Sequence, residues 1–202
     1  MSSPSLPKHI FVFRHAHTDW NSEGRYQGHI DTPLSRQGQV QVAAWTRDFK
    51  AMPIQVILSS DLARAHDTAA PIARTLGIPH IVLPELREVN LGQAQGHLVD
   101  ELDRQFGPSA LKRWNSVDPA FDEMRFPGGE SKVEAEQRLV RCLLDFLRRT
   151  HYQHLALCSH GFLMARLARV AQPGFELKFD LANHSPVTLQ ILFSQGKLTL
   201  RN

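Results

Sequence analysis

Short apolar runs alternate with amphipathic stretches along most of the chain. Residues 10–13, 56–58, 81–83 and 154–158 are too short and too apolar for surface helices, and they read as buried strands. Between them the apolar positions recur at helical spacing. Ser35 opens one helix through Gly38, Val42, Trp45 and Phe49, which ends before Pro53. The cap-forming run Ser59-Ser60-Asp61 starts a second helix carrying Arg64, expected to kink or restart near Thr68 ahead of Pro71 and to finish at Gly77. Ser131 and Glu134 form a capping box before Val133, Val140, Leu143, Leu144 and Leu147, a long amphipathic helix. An apolar helix follows over 162–170, and a weaker one is predicted over 98–106. Residues 22–33 and 84–96 read as loops, and 108–129 as mostly irregular chain anchored by Trp114 and Phe121. At the end, 187–193 and 197–200 flank Ser194-Gln195-Gly196 as a closing hairpin. Strands alternating with helices predict an α/β fold, a three-layer α/β/α sandwich with a mostly parallel central sheet and an antiparallel edge. Residues 1–8 are expected to be a loose N-terminal segment and 9–202 a single domain.

Composition narrows the function classes. The chain has 202 residues, 42% of them hydrophobic, enough for one well-buried core. Its 23 Lys and Arg against 20 Asp and Glu are scattered, with no basic block, so no nucleic-acid partner is expected. The formal charge of +3 suits an anionic substrate without requiring one. No apolar stretch approaches the roughly 18 residues that span a bilayer, so no membrane association is expected. Cys142 and Cys158 sit in helical and strand-like apolar patterns and read as buried small side chains without a disulfide. A reducing, cytoplasmic location is the expectation.

The candidate chemistry begins where the first strand ends. Arg14-His15-Ala16-His17-Thr18-Asp19-Trp20-Asn21 places a cation, imidazoles, a hydroxyl and an amide in one short loop. In parallel sheets ligands sit beyond the carboxyl ends of strands, beside helix N-termini that attract anions. Arg64 and His160 also follow strands, and Glu88 lies in the loop after the third, so these groups are expected to converge on an oxyanion. Arginine forks match a tetrahedral anion better than lysine does. A metal site is disfavoured, because the 11 histidines show no His-Glu-x-x-His or Cys-x-x-Cys spacing and two arginines would repel a cation. The Gly-x-Ser-x-Gly elbow and the P-loop are both missing.

Arg14-His15-Ala16-His17-Thr18-x-Trp20-Asn21 resembles the Arg-His-Gly-x-Thr-x-x-Asn signature of the histidine phosphatase superfamily, the phosphoglycerate-mutase-like proteins. The resemblance continues in order through Tyr26-Gln27-Gly28, Pro33-Leu34-Ser35, Ser59-Ser60-Asp61-Leu62-x-Arg64-Ala65-x-x-Thr68-Ala69, Leu86-Arg87-Glu88, Pro127-Gly128-Gly129-Glu130-Ser131 and Ser159-His160-Gly161. It implies the superfamily's sandwich fold and a metal-independent phosphomonoesterase, without cofactor, that hydrolyses a small phosphorylated metabolite through a phosphohistidine. By the same resemblance His15 is the nucleophile. Arg14, Arg64 and His160 hold the phosphoryl oxygens, and Glu88 is the acid and base, with Asp61 and Glu85 as other candidates. Asn21, Gln27, Thr18 and Gly161 complete the phosphate-binding set, whereas His17, His66 and His97 read as structural.

Two departures matter. Ala16 stands where the family commonly has Gly, which is tolerated unless that position needs a positive φ. After Glu88 the chain carries neither the Trp-Glu pair of many phosphatase members nor the Glu-Arg-His-Tyr-Gly run of the mutases. The second absence favours hydrolysis over transfer, with an α-ribazole phosphatase-like or a broad-specificity enzyme both open. Phosphoglycerate mutase activity, or a non-catalytic module binding phosphate or phosphoprotein, are the alternatives. The oligomeric state is left open.

Overall fold

The computed structural model describes residues 6–177 and 187–201. Six strands form one sheet: β1 (Lys8–Arg14), β2 (Val56–Ser59), β3 (His80–Val82), β4 (His154–Ser159), β5 (Val187–Ser194) and β6 (Lys197–Leu200). Their order is β3-β2-β4-β1-β5-β6. The first four run parallel, while β5 pairs antiparallel with β1 and β6 antiparallel with β5. The antiparallel pair lies at one edge, as the hairpin pattern predicts. Its turn residues, Gln195 and Gly196, both take positive φ, the conformation a tight hairpin with right-twisted strands requires.

The helices are α1 (Asp19–Glu23), α2 (Arg36–Phe49), α3 (Ala63–Leu76), α4 (Leu102–Phe106), α5 (Ala110–Asn115), α6 (Lys132–Arg149) and α7 (Gly161–Ala171). Alternation along the strands sorts side chains to two faces. Ile10, Val12, Leu155 and Leu157 pack with Leu139, Leu143 and Leu147 of α6 and Leu163 and Leu167 of α7. Phe13, Ile57, Ala156 and Cys158 pack with Val42, Trp45 and Phe49 of α2 and Ala69 and Ile72 of α3. The sheet is thus sandwiched between two helical layers, each with its own apolar core. Among the described residues no helix is long and apolar enough to cross a membrane.

Several local expectations are corrected. Pro71 lies inside one continuous helix, which does not restart there. The helical partner its missing N–H would have bonded is the carbonyl of Asp67, an exposed residue. Ser59, Ser60 and Asp61 do not cap α3: its N-cap is Leu62, without a side-chain bond, and the Ala63 N–H instead donates to Asp31 Oδ1 at 2.6 Å. The third strand begins one residue earlier than predicted, at His80. Residues 19–23, expected within loops, form the short helix α1. The predicted helix over 98–106 divides into a 3-10 turn over Val99–Glu101 and α4. Within 108–129, where mostly irregular chain was expected, α5 forms; Trp114 and Phe126 are the buried anchors and Phe121 is only half-buried. Lys8, assigned to a loose segment, is the first residue of β1, and its Nζ donates to the carbonyls of Thr150 and Tyr152. Residues 1–5 of that segment lie outside the described residues.

Candidate active site

Strand register brings the two central histidines together. Arg14 pairs with Ser159 across β1 and β4, so the next residues, His15 and His160, leave the sheet side by side. Their rings stand 5.4 Å apart. On the other side of β4, Ser59 pairs with Cys158, which brings Ser60 Oγ to 2.8 Å from His160 Nε2. Of the serines expected to start a helix, Ser60 thus contacts His160, while the Ser59 hydroxyl bonds the Ser60 carbonyl and His80.

His15 is buried, with Nδ1 2.8 Å from the carbonyl oxygen of Ala16. A carbonyl can only accept, so Nδ1 carries the proton and the lone pair of the neutral ring lies on Nε2. Burial, reinforced by the charges of Arg14 and Arg64, holds the His15 pKa well below that of a free imidazole. The ring is therefore neutral at physiological pH. Ala16 is itself fixed by its N–H, which donates to Thr68 Oγ1 at 3.0 Å. It has no positive φ, which explains why a methyl group is accepted there.

Arg64, from the first turn of α3, is almost completely buried, and its charge is aimed by the loop before α2. Nη2 donates to the Gly28 carbonyl at 2.7 Å and Nη1 to the Ile30 carbonyl at 3.0 Å. Gly28 has a φ of +54°, and a Cβ there would collide with the Gln95 side chain, so glycine is what allows this carbonyl to turn inward. Burial lowers the Arg64 pKa to about 10, leaving the group cationic at neutral pH. Arg64 Nε and His160 Nδ1 are buried nitrogens with no hydrogen-bond partner among the described residues. Gly161, the first residue of α7, lies against the Arg14 guanidinium: a Cβ there would be 3.6 Å from Arg14 Cζ.

Glu88 reaches the N-terminus of α7, where Oε2 accepts from the Phe162 N–H at 3.0 Å and Oε1 from the N–H groups of Leu163 and Val89 at 3.3 and 3.0 Å. Burial nevertheless raises its pKa above the usual carboxylate range, against those N–H bonds and the charges of Arg64 and Arg14. A carboxyl group with a raised pKa beside two guanidinium groups can give and take a proton.

Arg14, His15, Asn21, Gln27, Arg64, Glu88 and Gly161 all line one cavity of about 1000 Å³. Thr18 does not line it; the fully buried Thr18 donates from its backbone N and from Oγ1 to Asn21 Oδ1, each at 3.0 Å, and so orients the Asn21 amide. Gln27 accepts from Thr32 through Oε1. Asp61 is held by Arg87 in a two-pronged ion pair, and the exposed Glu85 lines a different cavity. Neither lines the cavity that Glu88 lines. His17 bridges Ser35 and Ser22. Among the described residues no three His, Cys, Asp or Glu gather so as to hold a metal ion.

Sequence reading missed the supports of Glu88. His29 Nε2 donates to the Glu88 carbonyl at 2.6 Å, and Arg138 donates to the carbonyls of Arg87 and Glu88 while pairing with Glu130. A lone histidine in a polar loop and one arginine among several on a helix carry no local signal. Glu130 did stand in a recognised motif, but without a role.

The model of the histidine phosphatase superfamily (branch 1) matches residues 10–202. The chain belongs to the histidine phosphatase superfamily. It is 31% identical over 159 residues to the probable phosphoglycerate mutase of Escherichia fergusonii, covering 78% of this chain and 72% of the relative. It is also 32% identical over 152 residues to phosphoserine phosphatase 1 of Hydrogenobacter thermophilus, covering 75% and 70%. Among solved structures, the mycobacterial glucosyl-3-phosphoglycerate phosphatase in complex with VO3 is similar, with a TM-score of 0.78, 27% identity, and 96% and 97% of the two chains covered. The protein is an enzyme of the histidine phosphatase type, with the α/β sandwich of that superfamily.

Proposed function

We propose that His15 is the nucleophile of a phosphomonoesterase working without a metal, and that Arg14, Arg64, Glu88 and His160 carry the rest of the chemistry. The observation that carries this reading is the 2.8 Å contact of His15 Nδ1 with the Ala16 carbonyl, which leaves the Nε2 lone pair as the only nucleophilic position of the ring. In the first step Nε2 attacks phosphorus as the bond to the ester oxygen breaks. Arg14 and Arg64 neutralise the phosphoryl oxygens, with Arg64 Nε and a His160 Nδ1–H as further donors while Ser60 Oγ–H donates to His160 Nε2. Glu88 supplies the proton that the departing alcohol oxygen takes up. In the second step the Glu88 carboxylate accepts a proton from water, the resulting hydroxide attacks phosphorus, and the N–P bond breaks. Inorganic phosphate leaves, His15 is neutral again and Glu88 is again protonated.

Small phosphorylated molecules are the substrate class that fits this cavity and the similarity to phosphoserine and glucosyl-3-phosphoglycerate phosphatases. Hydrolysis is favoured over phosphoryl transfer because the segment after Glu88 lacks the basic run of the mutases. The test is turnover of p-nitrophenyl phosphate in excess chelator by the wild type and by His15→Ala. Chelator-resistant turnover that disappears in the variant supports the reading. Activity that survives the substitution, or is lost on chelation, contradicts it.

A further inference from the structure

The cavity is far larger than a phosphoryl group, and at about 1000 Å³ it reaches the upper end of the range, about 300–1,000 Å³, that encloses drug-sized ligands. Only its floor is built for phosphate. The wall beside Glu88 is aromatic: Phe162, whose backbone N–H holds the Glu88 carboxyl group, also lines the cavity. Its ring stacks on Trp114 at 5.2 Å and 20°, and Trp114 packs in turn on the buried ring of Phe126 at 5.0 Å. Trp20 and Tyr26 line the same space, with the Arg25 guanidinium 5.6 Å from the Trp20 ring centre.

The outer cations are largely engaged already. Arg25 pairs with Glu23, and Arg166 with Asp122 and Glu136. Lys132 donates to the carbonyls of Arg113 and Ser116, and Arg169 to that of Val117. Lys112 stands exposed at the rim. Flat aromatic surface next to Glu88, with Arg25 and Arg166 ion-paired and the donors of Lys132 and Arg169 already spent on backbone carbonyls, favours a planar apolar group over a polyol or a second acid.

Resting on the phosphatase reading above, we propose that the preferred substrates are phosphate monoesters whose alcohol carries an aromatic ring, and that Trp20, Trp114 and Phe162 determine this preference. The ester oxygen lies at Glu88 while the ring extends along Phe162 and Trp114. Because hydrolysis returns the alcohol unchanged, the reaction supplying such a substrate must be a phosphorylation of an aromatic alcohol, or a step that releases its monophosphate.

The experiment compares kcat/KM for 2-phenylethyl phosphate and n-propyl phosphate, two primary alkyl esters whose intrinsic reactivity is similar. Burying the ring is expected to favour the phenylethyl ester about 10- to 100-fold. Phe162→Ala and Trp20→Ala each reduce that ratio about 3- to 10-fold, and Phe162→Tyr retains most of it. Equal efficiency with the two esters in the wild type, or a ratio unmoved by either alanine variant, overturns the aromatic subsite and leaves the phosphatase reading in place. No turnover of either ester or of p-nitrophenyl phosphate overturns the phosphatase reading, and the subsite with it.

Discussion

Arg138 lays its guanidinium edge against Glu130, with Nε 2.8 Å from Oε1 and Nη2 2.8 Å from Oε2. The same guanidinium donates to the carbonyls of Glu85, Arg87 and Glu88, while Glu130 accepts from the Asn90 N–H at 2.8 Å. With His29 on the Glu88 carbonyl, the backbone is held on both sides of the residue proposed as acid and base. Arg138→Met is expected to lower kcat about 10- to 100-fold with a smaller change in KM, because a displaced proton donor affects the chemical step more than phosphate binding. Steady-state kinetics beside a urea melt separate this from simple loss of fold. An unchanged kcat in a folded variant would show that the pair supports structure alone.

Arg64 should be the least replaceable of the groups proposed to hold phosphate. Lysine keeps the charge but cannot donate to both Gly28 and Ile30 while also presenting a nitrogen to the phosphoryl group. Arg64→Lys is expected to cost about 10²- to 10³-fold in kcat/KM and to weaken competitive inhibition by inorganic phosphate. Inhibition as tight as in the wild type would remove Arg64 from the phosphate site.

For Glu88, the leaving group provides the diagnosis. Glu88→Gln should slow alkyl phosphates about 10²- to 10⁴-fold, since an alkoxide cannot leave without a proton. With p-nitrophenyl phosphate, whose phenolate leaves readily, the loss of the first step should be much smaller. Equal losses on both esters would assign the acid role to another group.

The buried imidazoles set the direction of the pH response. His15 and His160 titrate well below the ordinary value of 6.5 in the folded chain, chiefly because burial penalises the cation. The unfolded chain therefore binds more protons below about pH 6.5, and stability is present above that value and falls as pH drops from it toward the folded pKa values. Each such imidazole contributes a slope of up to about 1.4 kcal/mol per pH unit. Glu88 acts with the opposite sign, its raised pKa costing stability as pH rises above the ordinary carboxylate value. Thermal melts should thus show a declining midpoint below about pH 6.5, with a shallower decline in His160→Gln. Turnover, by contrast, should persist below pH 6.5 because His15 stays neutral, and an acid limb at or above that pH would contradict its depressed pKa.

The layered fold was legible because its causes are local. Apolar runs ending in polar clusters marked the parallel strands, and one pairing, Arg14 with Ser159, is enough to place His15 beside His160. The hairpin was readable from Gln195-Gly196 for the same reason. What escaped depends on partners distant in sequence. Asp31 supplies the α3 cap that Ser59 to Asp61 were expected to provide, and His29 and Arg138 reach Glu88 across 59 and 50 residues. Phe126 rather than Phe121 is buried because Phe106 and Trp114 pack against its ring, a contact no periodicity encodes. Pro71 does not divide the helix that carries it, because the residues around it, Ala69, Ile72 and Ala73, stay buried against the sheet.

The most direct test of the account is to trap the covalent intermediate. Enzyme mixed with excess p-nitrophenyl phosphate, quenched rapidly into base and digested should yield one phosphorylated peptide, with the phosphoryl group on His15. His15→Ala should give none and no burst of p-nitrophenol. A phosphoryl group on any other residue, or a full burst from His15→Ala, would contradict the assignment of His15 as nucleophile.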